Sequence, residues 1–203
     1  MKPDSHDIHD GKMIQILEAI RTVLARKGMM SATISEIANE AGVSRGLLHY
    51  YFKDKDDMVA QAFQVGMETY QADVREIFET AESASELAKN LCRALREILI
   101  HDPDFFRLLF ERWGMARRGP KMAGELTEYH RMFRDMIREG MEKLIKRGVI
   151  QPRTPLEGMV VLLTGIVDGL GMQLVLEPDI ADNATIWKTT ETVVRQMLEG
   201  NAG

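Results

Sequence analysis

Apolar residues recur at helical spacing in one segment after another, and this pattern predicts an all-α fold. Residues 1–10, polar and interrupted by Pro3, read as a flexible tail. From Lys12, the residues Met13, Ile16, Leu17, Ile20, Val23 and Leu24 make one stripe, and Gly28 closes that helix as a C-cap. Ile34, Ile37, Ala38 and Ala41 line a second, short helix, with Thr33 as its N-cap and Glu36 completing a capping box. Gly42 permits the positive φ of a sharp turn, Val43 fills the angle, and Ser44 caps a third helix. That helix turns Leu48 inward and Arg45, Gly46, His49 and Tyr50 outward. Polar and aromatic side chains on the free face of such a helix suit entry into a DNA groove, although a hairpin with a solvated face has the same period.

The pattern then lengthens. Asp54 can cap a helix reaching Thr80, with no Pro-rich or Gly-rich linker before it, so movement at its far end can tilt the preceding unit as a lever. Ser83 or Ser85 opens the next helix, which carries Leu87, Leu91, Leu95, Ile98 and Leu99 on one side. A break at His101–Asp104 precedes a short helix crowded with Phe105, Phe106, Leu108, Leu109, Phe110 and Trp113. A second break at Arg118–Pro120 leads to a helix over Lys121–Lys146, capped by Gly148. Leu156–Leu176 is the most hydrophobic stretch and approaches the length of a membrane span, about 20 residues. Asp168, Gln173 and four glycines within it oppose that reading, so no membrane partner is expected. A helix apolar on all sides must be covered on all sides. A second copy of the chain is the natural second cover: Gly165 and Gly169 would allow close approach, with Leu170 beside them. Ile186, Val193, Val194 and Met197 of a last helix, Thr185–Leu198, would complete a homodimeric four-helix bundle.

The run Thr33, Ile37-Ala38, Ala41-Gly42-Val43-Ser44, Gly46, Leu48, Tyr51-Phe52 and Lys55 resembles the DNA-binding signature of TetR-family transcriptional regulators. It covers about a tenth of the chain and is among the more specific helix-turn-helix patterns. The resemblance implies an N-terminal three-helix DNA-binding domain, residues 11–53, and a helical ligand-binding and dimerisation domain, residues 54–200. It implies operator DNA as partner, with Thr33, Ser44, Arg45, Gly46, His49, Tyr50, Tyr51 and Lys55 in contact. His49 stands where the family more often has Tyr, and both can donate to a phosphate.

Composition changes this picture little. A balance of 45% hydrophobic and 28% charged residues is that of a soluble globular protein, and one of this length buries roughly 70% of its unfolded surface. The net charge of -5 argues against a coat of nucleic acid but leaves room for a local basic footprint at Arg45, Lys53 and Lys55. The single cysteine, Cys92, permits no intrachain disulfide, and the polar first ten residues show no signal peptide, so the cytoplasm is the expected compartment.

Candidate chemistry is sparse. No glycine-rich phosphate loop, cysteine pair or His-Glu metal helix is present, so no catalytic residue, metal or cofactor is expected. His6 and His9 sit among acids in the tail without a metal-site frame, Cys92 reads as a small core residue, and His130 on a charged helix could be a surface histidine. The surplus of aromatics and methionines in the centre is the second clue to function. Phe63, Tyr70, Phe106, Phe110, Trp113, Tyr129, His130, Phe133 and Met136 could line an apolar pocket for a small-molecule effector, the region where the TetR resemblance implies one. Tyr70, Tyr129, His130 and Arg112 are the polar handles, while ordinary core packing explains any single one of the others. The expected function is a repressor released from DNA by a small hydrophobic effector. The alternative is a small-molecule-binding or enzymatic helical protein with a vestigial helix-turn-helix.

Overall fold

The computed structural model describes residues 5–116 and 119–199. They form nine α-helices and one 3-10 turn, with no strand among the described residues. The helices are α1 (Ser5–Ser31), α2 (Ile34–Glu40), α3 (Arg45–Tyr51), α4 (Lys55–Thr80), α5 (Ala84–His101), α6 (Pro103–Ala116), α7 (Pro120–Lys146), α8 (Leu156–Leu176) and α9 (Ala184–Glu199). Compactness divides the chain into two units: residues up to Glu68 together with Arg107–Glu111, and Thr69–Phe106 together with the chain from Arg112 onward. The division falls inside α4, whereas the boundary expected at 53/54 coincides with the start of that helix.

In the first unit α1 packs on α2 and α2 on α3. α1 begins at Ser5, not at Lys12, so residues 5–10 are helical where a tail was expected. Gly28, at φ 77 and ψ 161, breaks its helical course, and one further turn leads to Ser31. The predicted stripe is buried: Ile16, Ile20, Val23 and Leu24 of α1 lie in the core, as do Ile37, Leu48, Phe52 and Met58. Gln15 ties α1 to the turn by donating to the Ala41 carbonyl at 3.0 Å. Asp54 caps α4 as expected, accepting from the Asp57 amide at 2.8 Å.

In the second unit α5 packs against α9 and α8, and α7 against α8. Ser83, not Ser85, caps α5, accepting from the Glu86 amide at 3.1 Å. A core of Phe78, Leu87, Met136, Ile137, Met141, Leu144, Met159 and Leu163 joins α4, α5, α7 and α8, and Val194 and Leu198 of α9 complete it. Cys92 is buried, and that burial, with Glu191 nearby, pushes its thiol up to about 11, so it is an inert core residue. Pro178–Asp182 forms a 3-10 turn that the sequence pattern did not predict. Asn183 then caps α9 by accepting from the Thr185 amide at 3.0 Å, one residue before the expected start.

Candidate nucleic-acid interface and small-molecule cleft

The helix-turn-helix is built by local hydrogen bonds. Thr33 accepts from the Glu36 amide at 3.3 Å while its own amide donates to the Glu36 carboxylate at 3.0 Å, and its hydroxyl donates to the same carboxylate at 2.9 Å. Lys27 also pairs with Glu36, and these contacts hold the carboxyl down at about 2. Arg26 braces the far end of α2 through Glu40 at 3.1 Å. Gly42 takes φ 60 in the turn, and the Val43 amide returns to the Ala38 carbonyl at 2.9 Å. Ser44 then caps α3, accepting from the Leu47 amide at 3.2 Å.

With Leu48 fully buried, the helical period leaves Arg45, Gly46, His49 and Tyr50 exposed, Tyr50 to 73%. Arg45 rests its guanidinium 3.5 Å from Ser35 Oγ. The Tyr50 and Tyr51 rings meet edge to face, their centroids 5.3 Å apart, which fixes both ring planes on the surface. Lys55, half-buried, reaches the Met30 carbonyl at 3.5 Å. All eight residues singled out from the sequence therefore lie in the first unit, but Thr33 and Ser44 also close helix ends. Glu111, 82 positions from its partner, was not foreseen: its carboxylate accepts from the Met29 amide at 2.7 Å, and a Cβ at Gly28 would sit 3.0 Å from it. No local pattern signals such a contact.

Of the nine residues expected around one pocket, seven lie in the second unit, in different surroundings. Phe63 and Phe110 belong to the first unit. Met136 lies inside the core of the second, Phe133 packs against that core, and both serve as core residues because their positions on α7 face it. Phe106 is buried against α8: a Cβ at Gly171 would fall 2.5 Å from its ring. Tyr70 donates to Asp102 and stacks edge-on with Phe105, beside a separate cleft of about 490 Å³.

Trp113, Tyr129 and His130 do meet. Trp113 Nε1 donates to His130 Nε2 at 3.1 Å, and the Tyr129 ring stands edge-on to His130 at 4.9 Å. His130 is thus no surface histidine; its side chain is 15% exposed, and burial followed by the Arg134 charge lowers its pKa. Asp168 of α8 places Oδ2 3.9 Å from His130 Nδ1, and burial raises its carboxyl to about 6 against the opposing pull of Arg134. Burial, then Asp168, also raises the Tyr129 phenol. Arg112, almost fully buried, donates to Glu125 at 3.1 Å. Trp113, His130 and Arg134 line a cleft of about 440 Å³ together with Ala116, Ala123, Leu126 and Thr127. Asp168 was not expected beside His130, because only tertiary packing brings α8 to that face of α7.

The residues expected to dimerise divide as well. Val161, Gly165, Gly169, Met172 and Leu176 fall on one exposed stripe of α8, with Leu176 75% exposed and Leu170 half-buried. On α9, Val193 is exposed and Ile186 half-buried. Val194 is 3% exposed and belongs to the core of its own chain, and Met197, half-buried, packs against the same core. α8 is long and apolar enough to cross a membrane by length and composition alone. Among the described residues, no group of three or more His, Cys, Asp or Glu is placed to hold a metal.

Residues 16–62 match the family model described as bacterial regulatory proteins, tetR family, and residues 86–199 match that described as BetI-type transcriptional repressor, C-terminal. The HTH-type transcriptional regulator YfiR of Bacillus subtilis strain 168 is 24% identical over 200 residues, spanning 95% of this chain and 94% of its own length. The HTH-type transcriptional repressor AcnR of Corynebacterium diphtheriae is 24% identical over 184 residues, spanning 89% and 90%. Among solved structures, FadR from Bacillus subtilis in complex with stearoyl-CoA shares the fold, with a TM-score of 0.74 and 18% identity over 93% of this chain and 98% of its own. Salmonella enterica GusR does so with a TM-score of 0.77 and 20% identity over 93% and 95%.

Proposed function

Given that the chain belongs to the TetR family of bacterial transcriptional regulators, we propose that it is a homodimeric repressor, working in the cytoplasm, which a small hydrophobic effector releases from its operator. The observation that carries this reading is α3, whose polar and aromatic side chains stand exposed above a fully buried Leu48 and a doubly capped turn. A vestigial motif has no reason to keep that arrangement, which weighs against an enzymatic reading. Arg45 and Tyr50 are the candidates for base edges, and Gly46 lets the helix approach closely. Lys55, His49, Tyr51, Thr33 and Ser44 would position the protein on phosphates.

The exposed apolar stripe of α8 supports a second copy of the chain as its cover, with Gly165 and Gly169 at the point of approach. The effector reading rests on the cleft beside Trp113 and His130, and the binding of stearoyl-CoA by the like-folded FadR supports an effector with an apolar body. Docking on one face of DNA needs half-site centres about 34–36 Å apart or a multiple of that, so an effector that favours another spacing of the recognition helices weakens operator binding.

The test begins with genomic DNA retained by the protein, which yields the operator, followed by anisotropy titrations over a range of salt. Arg45→Ala is expected to cost about 1–3 kcal/mol and relax preference at one position of each half-site. Lys55→Ala should weaken binding to every sequence alike and lower the salt slope by about 1. Wild-type behaviour from both variants on operator and random DNA would remove the recognition assignment.

A further inference from the structure

The cleft between α6 and α7 has an apolar wall, Trp113, Ala116, Ala123 and Leu126, and three polar groups. Two of these are already engaged. The Thr127 hydroxyl donates to the Ala123 carbonyl at 2.8 Å. His130 Nε2 accepts the Trp113 indole proton, so the neutral ring carries its own proton on Nδ1, which faces Asp168. Arg134 differs from both. It is half-buried, and among the described residues no carboxylate lies within salt-bridge distance of its guanidinium. Asp168 feels its charge without pairing with it.

A guanidinium does not shed its proton, and a partly desolvated charge without a counter-ion is costly. Its fork of donors matches one ligand chemistry above others, a planar carboxylate held by two parallel hydrogen bonds. Arg134 lies four residues after His130, which places both on one face of α7 toward the cleft. We propose that the effector is an amphipathic carboxylic acid, bound with its carboxylate on Arg134 and its apolar body along Trp113, Ala116, Ala123 and Leu126. This rests on the cleft being the effector site. A volume of about 440 Å³ lies in the lower part of the usual range for ligand sites, about 300–1,000 Å³, and suits a medium-chain or aryl acid. Asp168 is then the competing anion: it tempers the Arg134 charge while the cleft holds only solvent, and it opposes a second carboxylate when ligand enters.

Octanoate and 1-octanol share a chain and differ in charge, which makes them the probes. The full-length Trp187→Phe protein reports binding through Trp113 fluorescence, and labelled operator reports release. Octanoate is expected to bind at least tenfold more tightly than octanol. Arg134→Gln should abolish that preference while leaving octanol affinity within twofold, Arg134→Lys should retain part of it, and Asp168→Asn should tighten octanoate several-fold. Equal affinities in the unmodified cleft, or a preference that survives Arg134→Gln, overturns the proposal. Ala123→Phe, which fills the cleft, separates this failure from that of the effector reading. If it blocks release while Arg134→Gln leaves the preference unchanged, only the anion assignment falls. If release persists in Ala123→Phe, or neither probe alters Trp113 fluorescence or operator binding, the cleft and the proposal fall together.

Discussion

The recognition unit and the α6–α8 region both offer polar groups to a partner molecule, but they hold those groups in different ways. In α2 and α3 the helix caps are short in sequence: Thr33 with Glu36 and Ser44 with Leu47, each three residues apart. They form as the helices form, and they leave Arg45, His49 and Tyr50 in water. In the α6–α8 region the partners are distant: Trp113 and His130 are 17 residues apart, and Asp168 arrives on another helix. These groups are partly desolvated, so their protonation is altered, downward for His130 and up to about 6 for Asp168. A face of solvated side chains over local caps presents its donors to water and suits phosphates and base edges. A region assembled from long-range contacts tunes its charges by burial, which suits discrimination among small ligands.

The comparison breaks most visibly where packing is closest. Gly171→Leu is expected to destabilise the second unit by about 1–3 kcal/mol or more, because the new side chain must displace the Phe106 ring from α8. Denaturant unfolding followed through Trp113 fluorescence should show the loss, and hydrogen exchange in α2 and α3 should be little changed. Equal loosening of both regions would mean that they do not differ in the way described.

Asp168→Asn is the next largest effect and sharpens the contrast. The folded-state pKa is raised from 3.8 to about 6, so the wild type folds at no penalty below about pH 4 and loses stability as pH rises from there through about 6. A tenfold change in proton affinity is worth about 1.4 kcal/mol, and partial exposure reduces the sum, so the amide should stabilise by about 2 kcal/mol near pH 8. That gain should vanish near pH 4 in thermal melts taken across the range. A gain independent of pH would show that the carboxylate is not the source.

Thr33→Ala tests the local side and should be the smallest, about 1 kcal/mol from the lost cap. Faster exchange is expected at the Glu36 and Ile37 amides, with no change around His130. Absence of that change would place the stability of α2 in its packing on α1 and not in its own cap.

These differences explain what was legible. The capping box at Thr33, the turn at Gly42, the cap at Ser44 and the buried side of α3 at Leu48 each follow from residues within four positions of one another, and each is present in the structure. The expected pocket residues lie on the same helical stripes, but a stripe states only that a face is covered, not by what. Phe133 and Met136 sit on α7 close to His130 in sequence, yet they pack in or against the core while His130 borders a cleft. Val194 and Val193 are adjacent, and only one is exposed.

The helices, their breaks, the helix-turn-helix and its outward face follow from local sequence, because hydrogen bonds within a helix and the caps at its ends connect near neighbours. That Glu111 grips the end of α1, that Phe106 is seated on Gly171, and that Trp113, His130 and Asp168 meet near Arg134, which among the described residues has no carboxylate at salt-bridge distance, follows from packing between helices. Burial is shared between elements far apart in the chain. The charge a buried group carries depends on which distant helix comes to cover it, and helical periodicity holds no record of that choice.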